Sequence, residues 1–265
     1  MKNLLLLIDF TELSILSLEH ALMLAKLNNS SLIFCHITDV NTEKNNNDIN
    51  ENFKPYLLKA NEAGINHQTH IAYGSLINCA REVVARLKPD LVVVGTHGKH
   101  GILQHLFGSK IFNLVKELAS PVLVVNNQSK LAENGFKKIL IPVSLHDTYL
   151  QMLEKSINLL DKNGKIIIFA VVKYGIPLDN EITKNAQLAQ TFLNQKGIEN
   201  EYLEIVSDQY SAGYSKATLQ YVKNQEIDLI TIITKVSTQN NSFASVDKEN
   251  IMLNDAGLAV LCVDC

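Results

Sequence analysis

"LVVVGTHGKHGILQHLFGS", residues 91–109, decides the fold. Four consecutive apolar residues, Leu91 to Val94, read as a strand buried on both faces, as in a parallel sheet. Glycines at 95, 98 and 108 follow, with cations between them, and an amphipathic stretch begins near Lys110. A glycine-rich turn between a buried strand and a helix lets backbone N–H groups approach a ligand closely and adopt positive φ. Ser109 is placed to cap the next helix, whose N-terminus offers free N–H donors and the positive end of a dipole. Lys99 and Lys110 add positive charge. The pattern predicts a loop wrapped around a polyphosphate.

Outward from this stretch, apolar runs alternate with amphipathic ones. In the first half strands are expected at 3–9, 31–38, 66–72 and 90–94, with Pro121 opening a fifth. Helices are expected over 13–25, 48–64, 77–87 and 110–118. Strict alternation of strand and helix implies a parallel sheet covered on both faces. Ligands in such sheets sit beyond the carboxyl ends of strands, where the strand order switches.

The chain also contains its own copy. "LLLLIDF" (4–10) resembles "ILIPVSL" (139–145) at an offset of 135, which also sets Phe34 on Phe169. Further along, "DLVVVGT" (90–96) falls on "DLITIIT" (228–234), and "PVLVV" (121–125) on "AVLCV" (259–263), at an offset of 138. The period is domain-sized, far longer than a solenoid repeat. Second-half strands are expected near 137–143, 165–172, 200–206, 228–234 and 258–264. The polar stretch 126–136 reads as a linker between domains at 1–127 and 137–265.

Composition excludes other classes. The chain has 265 residues, 46% of them apolar and 19% charged, enough for sizeable cores. A net charge of −3 argues against a nucleic-acid surface. No run approaches the ~18 apolar residues that span a bilayer. The apolar run after Met1 stops at Asp9, too short for a secretion signal, and the four cysteines form no spaced framework. A cytoplasmic location is expected.

The spacing Gly95-x2-Gly98-x9-Gly108-Ser109 resembles the nucleotide motif of the universal stress protein family. So do "LLIDFTE" with its Asp9, "FCHITD" on the second strand, and "SPVLVV" closing the half. The whole chain is similar to a tandem member, closely over 2–126 and loosely over 137–265. The resemblance implies two doubly wound, Rossmann-like α/β domains, each a five-stranded parallel sheet in the order 3-2-1-4-5, and a bound ATP or related nucleotide (ADP or AMP), with Mg²⁺ as its natural companion. It places Asp9 by the adenosine end and the Ile37 backbone by the base. Gly95 and Gly98 fall by the ribose and phosphates, Gly108 and Ser109 at the phosphates, and Thr11 and His97 beside the site. Lys110 is read as a phosphate neighbour on charge alone. The family's pairing through the closing strand implies that "PVLVV" and "AVLCV" pair within the chain, with dimers of chains beyond that.

The second half departs from this motif. Gly95 falls on Ile233, Gly98 on Val236, Gly108 on Val246, Ser109 on Asp247 and Asp9 on Ser144. β-branched residues resist positive φ, and a carboxylate repels phosphate. This half is expected to keep the fold without the nucleotide. No protein-held metal is expected from His97, His100 and His105, because Mg²⁺ prefers oxygen ligands. No nucleophile elbow or Walker-type loop is present, so no catalytic residue is assigned and any ATP cleavage would be slow. His67 and His70, three apart on a strand, would face opposite sides. Cys262 reads as a buried strand residue rather than half of a redox pair with Cys265.

Overall fold

A computed structural model describes residues 1–39, 43–96, 111–173, 175, 177–207, 214–234 and 241–263, with backbone alone at 43–45, 173 and 241–245. The first half runs β1 (Asn3–Ile8), α1 (Glu12–Asn28), β2 (Ser31–Thr38), α2 (Glu43–Glu62), β3 (His67–Tyr73), α3 (Leu76–Leu87), β4 (Leu91–Thr96), α4 (Ile111–Glu117) and β5 (Val122–Asn126). The second runs β6 (Phe136–Pro142), α5 (Tyr149–Ile157), β7 (Leu160–Lys173), α6 (Asn180–Gln195), β8 (Glu199–Ser207), α7 (Ser215–Lys223), β9 (Leu229–Ile233), α8 (Asn241–Met252) and β10 (Ala259–Val263).

All ten strands form one sheet, in the order β3-β2-β1-β4-β5-β10-β9-β6-β7-β8. Each half keeps the expected 3-2-1-4-5 order, and every pairing within a half is parallel. The halves join where β5 meets β10 antiparallel, Leu123 opposite Leu261. The expected pairing of the closing strands therefore occurs within the chain. It hides two apolar edges that would otherwise invite association.

The period-2 alternation of side chains sends each strand's residues into two cores. Leu4, Leu6, Ile8, Phe34 and Leu123 meet α1 and α2 on one face, and on that face Ile139, Ile168 and Leu261 meet α5 and α6. Leu5, Leu7, Ile33, Val124 and Val260 face α3, α4 and α8 on the other. Both cores run unbroken through the seam. Burying a Val or Leu side chain contributes about 1.5–3 kcal/mol.

The seam also holds a buried polar lock. Asn126 Nδ2 donates to the carbonyls of Leu258 at 3.2 Å and Asn254 at 3.4 Å. The stretch read as a linker is thus anchored at its first residue. At its far end, Gly135 has φ +110° and sits against the Asp161 backbone, where a Cβ would lie 2.8 Å from nitrogen.

Element ends follow the sequence signals, with differences at α2 and β7. Gly64 ends the second helix region with φ +68°, as expected. The helix itself, α2, starts at Glu43 rather than near 48. The second strand of the second half, β7, begins at Leu160, five residues before the expected start, and its register against β6 shifts between Phe136 and Lys138.

Candidate functional site

The strand order switches between β1 and β4. Their pairing ends at Leu6–Val93, whereas β4 continues beside β5 to Thr96 opposite Asn126. The two strands therefore part at their carboxyl ends, and a crevice opens between Ile8–Asp9 and Gly95–Thr96, the place where open α/β sheets bind ligands.

Asp9 is fixed in this crevice by its own turn. Its Oδ1 accepts from the Thr11 hydroxyl at 2.6 Å, the Ser14 hydroxyl at 2.5 Å and the Thr11 N–H at 3.1 Å. Its N–H donates to Ser14 Oγ at 3.1 Å. Thr11 is the N-cap residue of α1, yet its hydroxyl serves Asp9 rather than the helix. Among the described residues, every hydrogen bond to the carboxylate falls on Oδ1, so Oδ2 is left open as an acceptor.

Ile37 lies one residue past the end of β1, whose last partner on β2 is His36. Its backbone pairs with Ala72 of β3 on one side and has no strand beside it on the other. That leaves main-chain groups at the height of Asp9.

Gly95 corrects one expectation. It lies inside β4, its φ is outside the left-handed region, and a Cβ there would meet Leu13 Cγ at 2.7 Å and Ser17 Oγ at 2.8 Å. The bare Cα is needed for the close approach of α1 rather than for a turn. Thr96 follows it, fully buried, and its hydroxyl has no hydrogen-bond partner among the described residues. An unpaired buried hydroxyl is uncommon and asks for a partner. Sequence reading passed over Thr96 and Ser14, because a threonine at a strand end and a serine in a helix carry no signal until the fold leaves the one unpaired and sets the other against Asp9. His97, Gly98, Gly108, Ser109 and Lys110 lie outside the described residues, as do Lys99, His100 and His105.

The second half provides an internal comparison. Thr234, equivalent to Thr96, donates its hydroxyl to the Val263 carbonyl at 3.3 Å. Ile233, equivalent to Gly95, is buried in the core. Asp247, equivalent to Ser109, is buried and turned inward. Its carboxylate accepts from the N–H groups of Tyr214 at 3.0 Å and Ser215 at 3.1 Å and from the Ser215 hydroxyl at 2.5 Å, at the start of α7. Lys248, equivalent to Lys110, donates to the Thr234 carbonyl at 3.5 Å, and burial lowers its ammonium to about 8. Donors that could have faced a ligand are thus spent within the half.

The remaining candidates do not form a site. His67 packs its ring on Phe34, whereas His70 accepts from Arg86 at 2.7 Å on the α3 side, so the two face apart as expected. Burial pushes the Cys262 thiol up, and it raises the Cys35 thiol to about 12. Both are inert packing groups. Cys265 lies outside the described residues. Among the described residues no group of three or more His, Cys, Asp or Glu could hold a metal ion, and no helix is long and apolar enough to cross a membrane.

Residues 1–126 match the model of the Universal stress protein family. Universal stress protein MJ0531 of Methanocaldococcus jannaschii is 27% identical over 136 residues, covering 46% of this chain and 80% of that protein. Solved structures also match along the whole length. A universal stress protein from Archaeoglobus fulgidus aligns with a TM-score of 0.73 and 15% identity, over 99% of this chain and 96% of its own. A functionally unknown protein, PA1789 from Pseudomonas aeruginosa, aligns with a TM-score of 0.68 and 14% identity, over 100% of this chain and 92% of its own.

Proposed function

From a chain whose fold is that of the universal stress proteins laid down twice, we propose that the unit at 1–127 holds one adenine nucleotide and the unit at 137–265 holds none. The nucleotide is ATP or its products ADP and AMP, with Mg²⁺ carried by the phosphates rather than by a protein cage. Asp9 Oδ2 and the Ile37 backbone take the adenosine end, with Thr11 holding Asp9 in place. Gly95, His97, Gly98, Gly108, Ser109 and Lys110 line the ribose and phosphates.

The single observation that carries this reading is the contrast between equivalent positions. Among the described residues the first half keeps Asp9 Oδ2 without a donor and the Thr96 hydroxyl unpaired, whereas the second has Ser144 and a Thr234 hydroxyl bonded to Val263. The carboxylate of Asp247 already sits at the α7 N-terminus, where it would repel a phosphate brought near it.

The role is regulatory. Nucleotide occupancy in the first unit biases the surface shown to a protein partner, in the cytoplasm, with two chains assembling as a dimer. No residue is assigned a catalytic part, and turnover of ATP is slow at most. The test is mass spectrometry of the purified, denatured chain for a co-purified adenine nucleotide, with calorimetry of the stripped protein against ATP. One site per chain, lost in Gly108→Val, is expected. No nucleotide by either method would leave a scaffold whose motif is only loop architecture.

A further inference from the structure

Phe10 stands between Asp9 and Thr11 with φ +61°. Two other described non-glycine residues have positive φ, Asn29 and Lys88, and both close helices, where a left-handed residue is ordinary. Phe10 closes no helix. It joins a strand to the helix that follows, and a bulky side chain is unfavourable in that conformation unless its surroundings hold it there.

The surroundings do hold it. The Phe10 ring lies 4.4 Å from the His36 ring, 5.2 Å from Phe53 edge-on and 6.0 Å from Tyr56 edge-on, between centroids. His36 belongs to β2, and its Nδ1 is 2.8 Å from the Ile8 carbonyl. Phe53 and Tyr56 belong to α2, and both are buried. The clamp therefore ties the turn that carries Asp9 to a helix remote in sequence. The same turn brings the Thr11 N–H and hydroxyl onto Asp9 Oδ1, which leaves Oδ2 without a donor among the described residues.

The second half again supplies the comparison. Leu145 is the equivalent of Phe10. It is 56% exposed and has no positive φ, and Ser144 precedes it in place of the aspartate. The strained, clamped turn thus occurs in the half that carries the carboxylate and is relaxed in the half that lacks it.

We infer that Phe10 is a positioning residue for the nucleotide site, and that through its ring contacts the docking of α2 and the binding of nucleotide are coupled. The inference rests on the nucleotide reading above. Coupling is reciprocal: whatever loosens α2 weakens the ligand, and the ligand tightens α2.

The experiment uses the full chain, stripped of nucleotide, with ATP as the probe. Phe10→Leu installs the second-half residue, Phe10→Gly keeps the turn conformation and removes the ring, and Phe53→Leu removes the partner without touching the turn. Denaturation without ATP first establishes that each variant is folded. Each is expected to bind ATP at least about fivefold more weakly in calorimetry. The double variant Phe10→Leu/Phe53→Leu should lose no more than the weaker-binding single variant, because one clamp is broken either way. ATP should also slow amide exchange in α2 of the wild type and lose that effect in Phe10→Gly. Folded variants that bind ATP within twofold of wild type would overturn the positioning role and leave the nucleotide reading intact. A wild-type chain that binds no adenine nucleotide would remove both.

Discussion

Asp90 and Asp228 make the same bonds in the two halves. Asp90 Oδ2 accepts from the N–H groups of Lys2 at 2.6 Å and Asn3 at 3.0 Å, and Asp228 Oδ2 from those of Lys137 at 2.7 Å and Lys138 at 2.9 Å. Each carboxylate stands before the fourth strand of its half and ties down the start of the first. The duplication is therefore visible at single atoms as well as in strand order.

Asp90→Ala and Asp228→Ala are each expected to destabilise the chain by about 1–2 kcal/mol in urea denaturation. Asp90 adds an acid dependence. Burial alone would raise its carboxyl, but the two N–H donors hold it below the ordinary 3.8. Its contribution is present above the unfolded value and is lost as pH falls through the lower folded one. Below about pH 4 the stability of wild type and Asp90→Ala should converge; curves that stay parallel would refute this.

His20 is fully buried in α1, stacked on Phe136 of β6, with Nδ1 3.0 Å from the Leu16 carbonyl. The Lys130 main chain lies close by, yet no well-directed bond reaches Nε2. Burial lowers the imidazole below 6.5. The unfolded chain then binds the proton more readily, so this contribution is complete above pH 6.5 and is lost as pH falls. Urea midpoints from pH 7 to 5 should fall less steeply in His20→Phe than in wild type.

Gly95→Ile copies the second-half residue. The new side chain would start 2.7–2.9 Å from atoms of Leu13 and Ser17. Overpacking of this kind costs about 1–3 kcal/mol. Thermal denaturation should show the loss, and an unchanged midpoint would mean that α1 shifts freely.

Asp247→Ala removes the carboxylate that serves two N–H groups at the start of α7. A loss of about 1–2 kcal/mol is expected. Calorimetry should still find one ATP per chain, because Ile233 and the spent Thr234 hydroxyl remain.

Asn126→Ala takes the side-chain donor from the Asn254 carbonyl and one of two from the Leu258 carbonyl, which keeps Asn254 Nδ2 at 2.9 Å. About 1–3 kcal/mol of stability should go with it. The test is whether proteolysis between the halves, near residues 128–134, accelerates in the variant.

Strand order and pairing were largely legible because buried parallel strands write continuous apolar runs, as in Leu91–Val94, and because the repeat shows each run twice. The backbone conformation of Gly95 was misread. A glycine after an apolar run serves a turn or a close contact equally well, and only the position of α1 over β4 separates the two. Thr96 and Phe10 were illegible for a related reason: an unpaired hydroxyl and a left-handed φ are properties of surroundings, and neither leaves a mark in residue type.

By itself the sequence determined a duplicated α/β chain, its switch point, and the asymmetry of glycines and aspartates between the halves, since these depend on side-chain period and local backbone freedom. Tertiary structure alone decided which hydroxyls remain unpaired, which carboxylate turns inward, and that His36, Phe53 and Tyr56 close on Phe10. Those outcomes depend on contacts between residues far apart in the chain, and no local pattern encodes the distance between them.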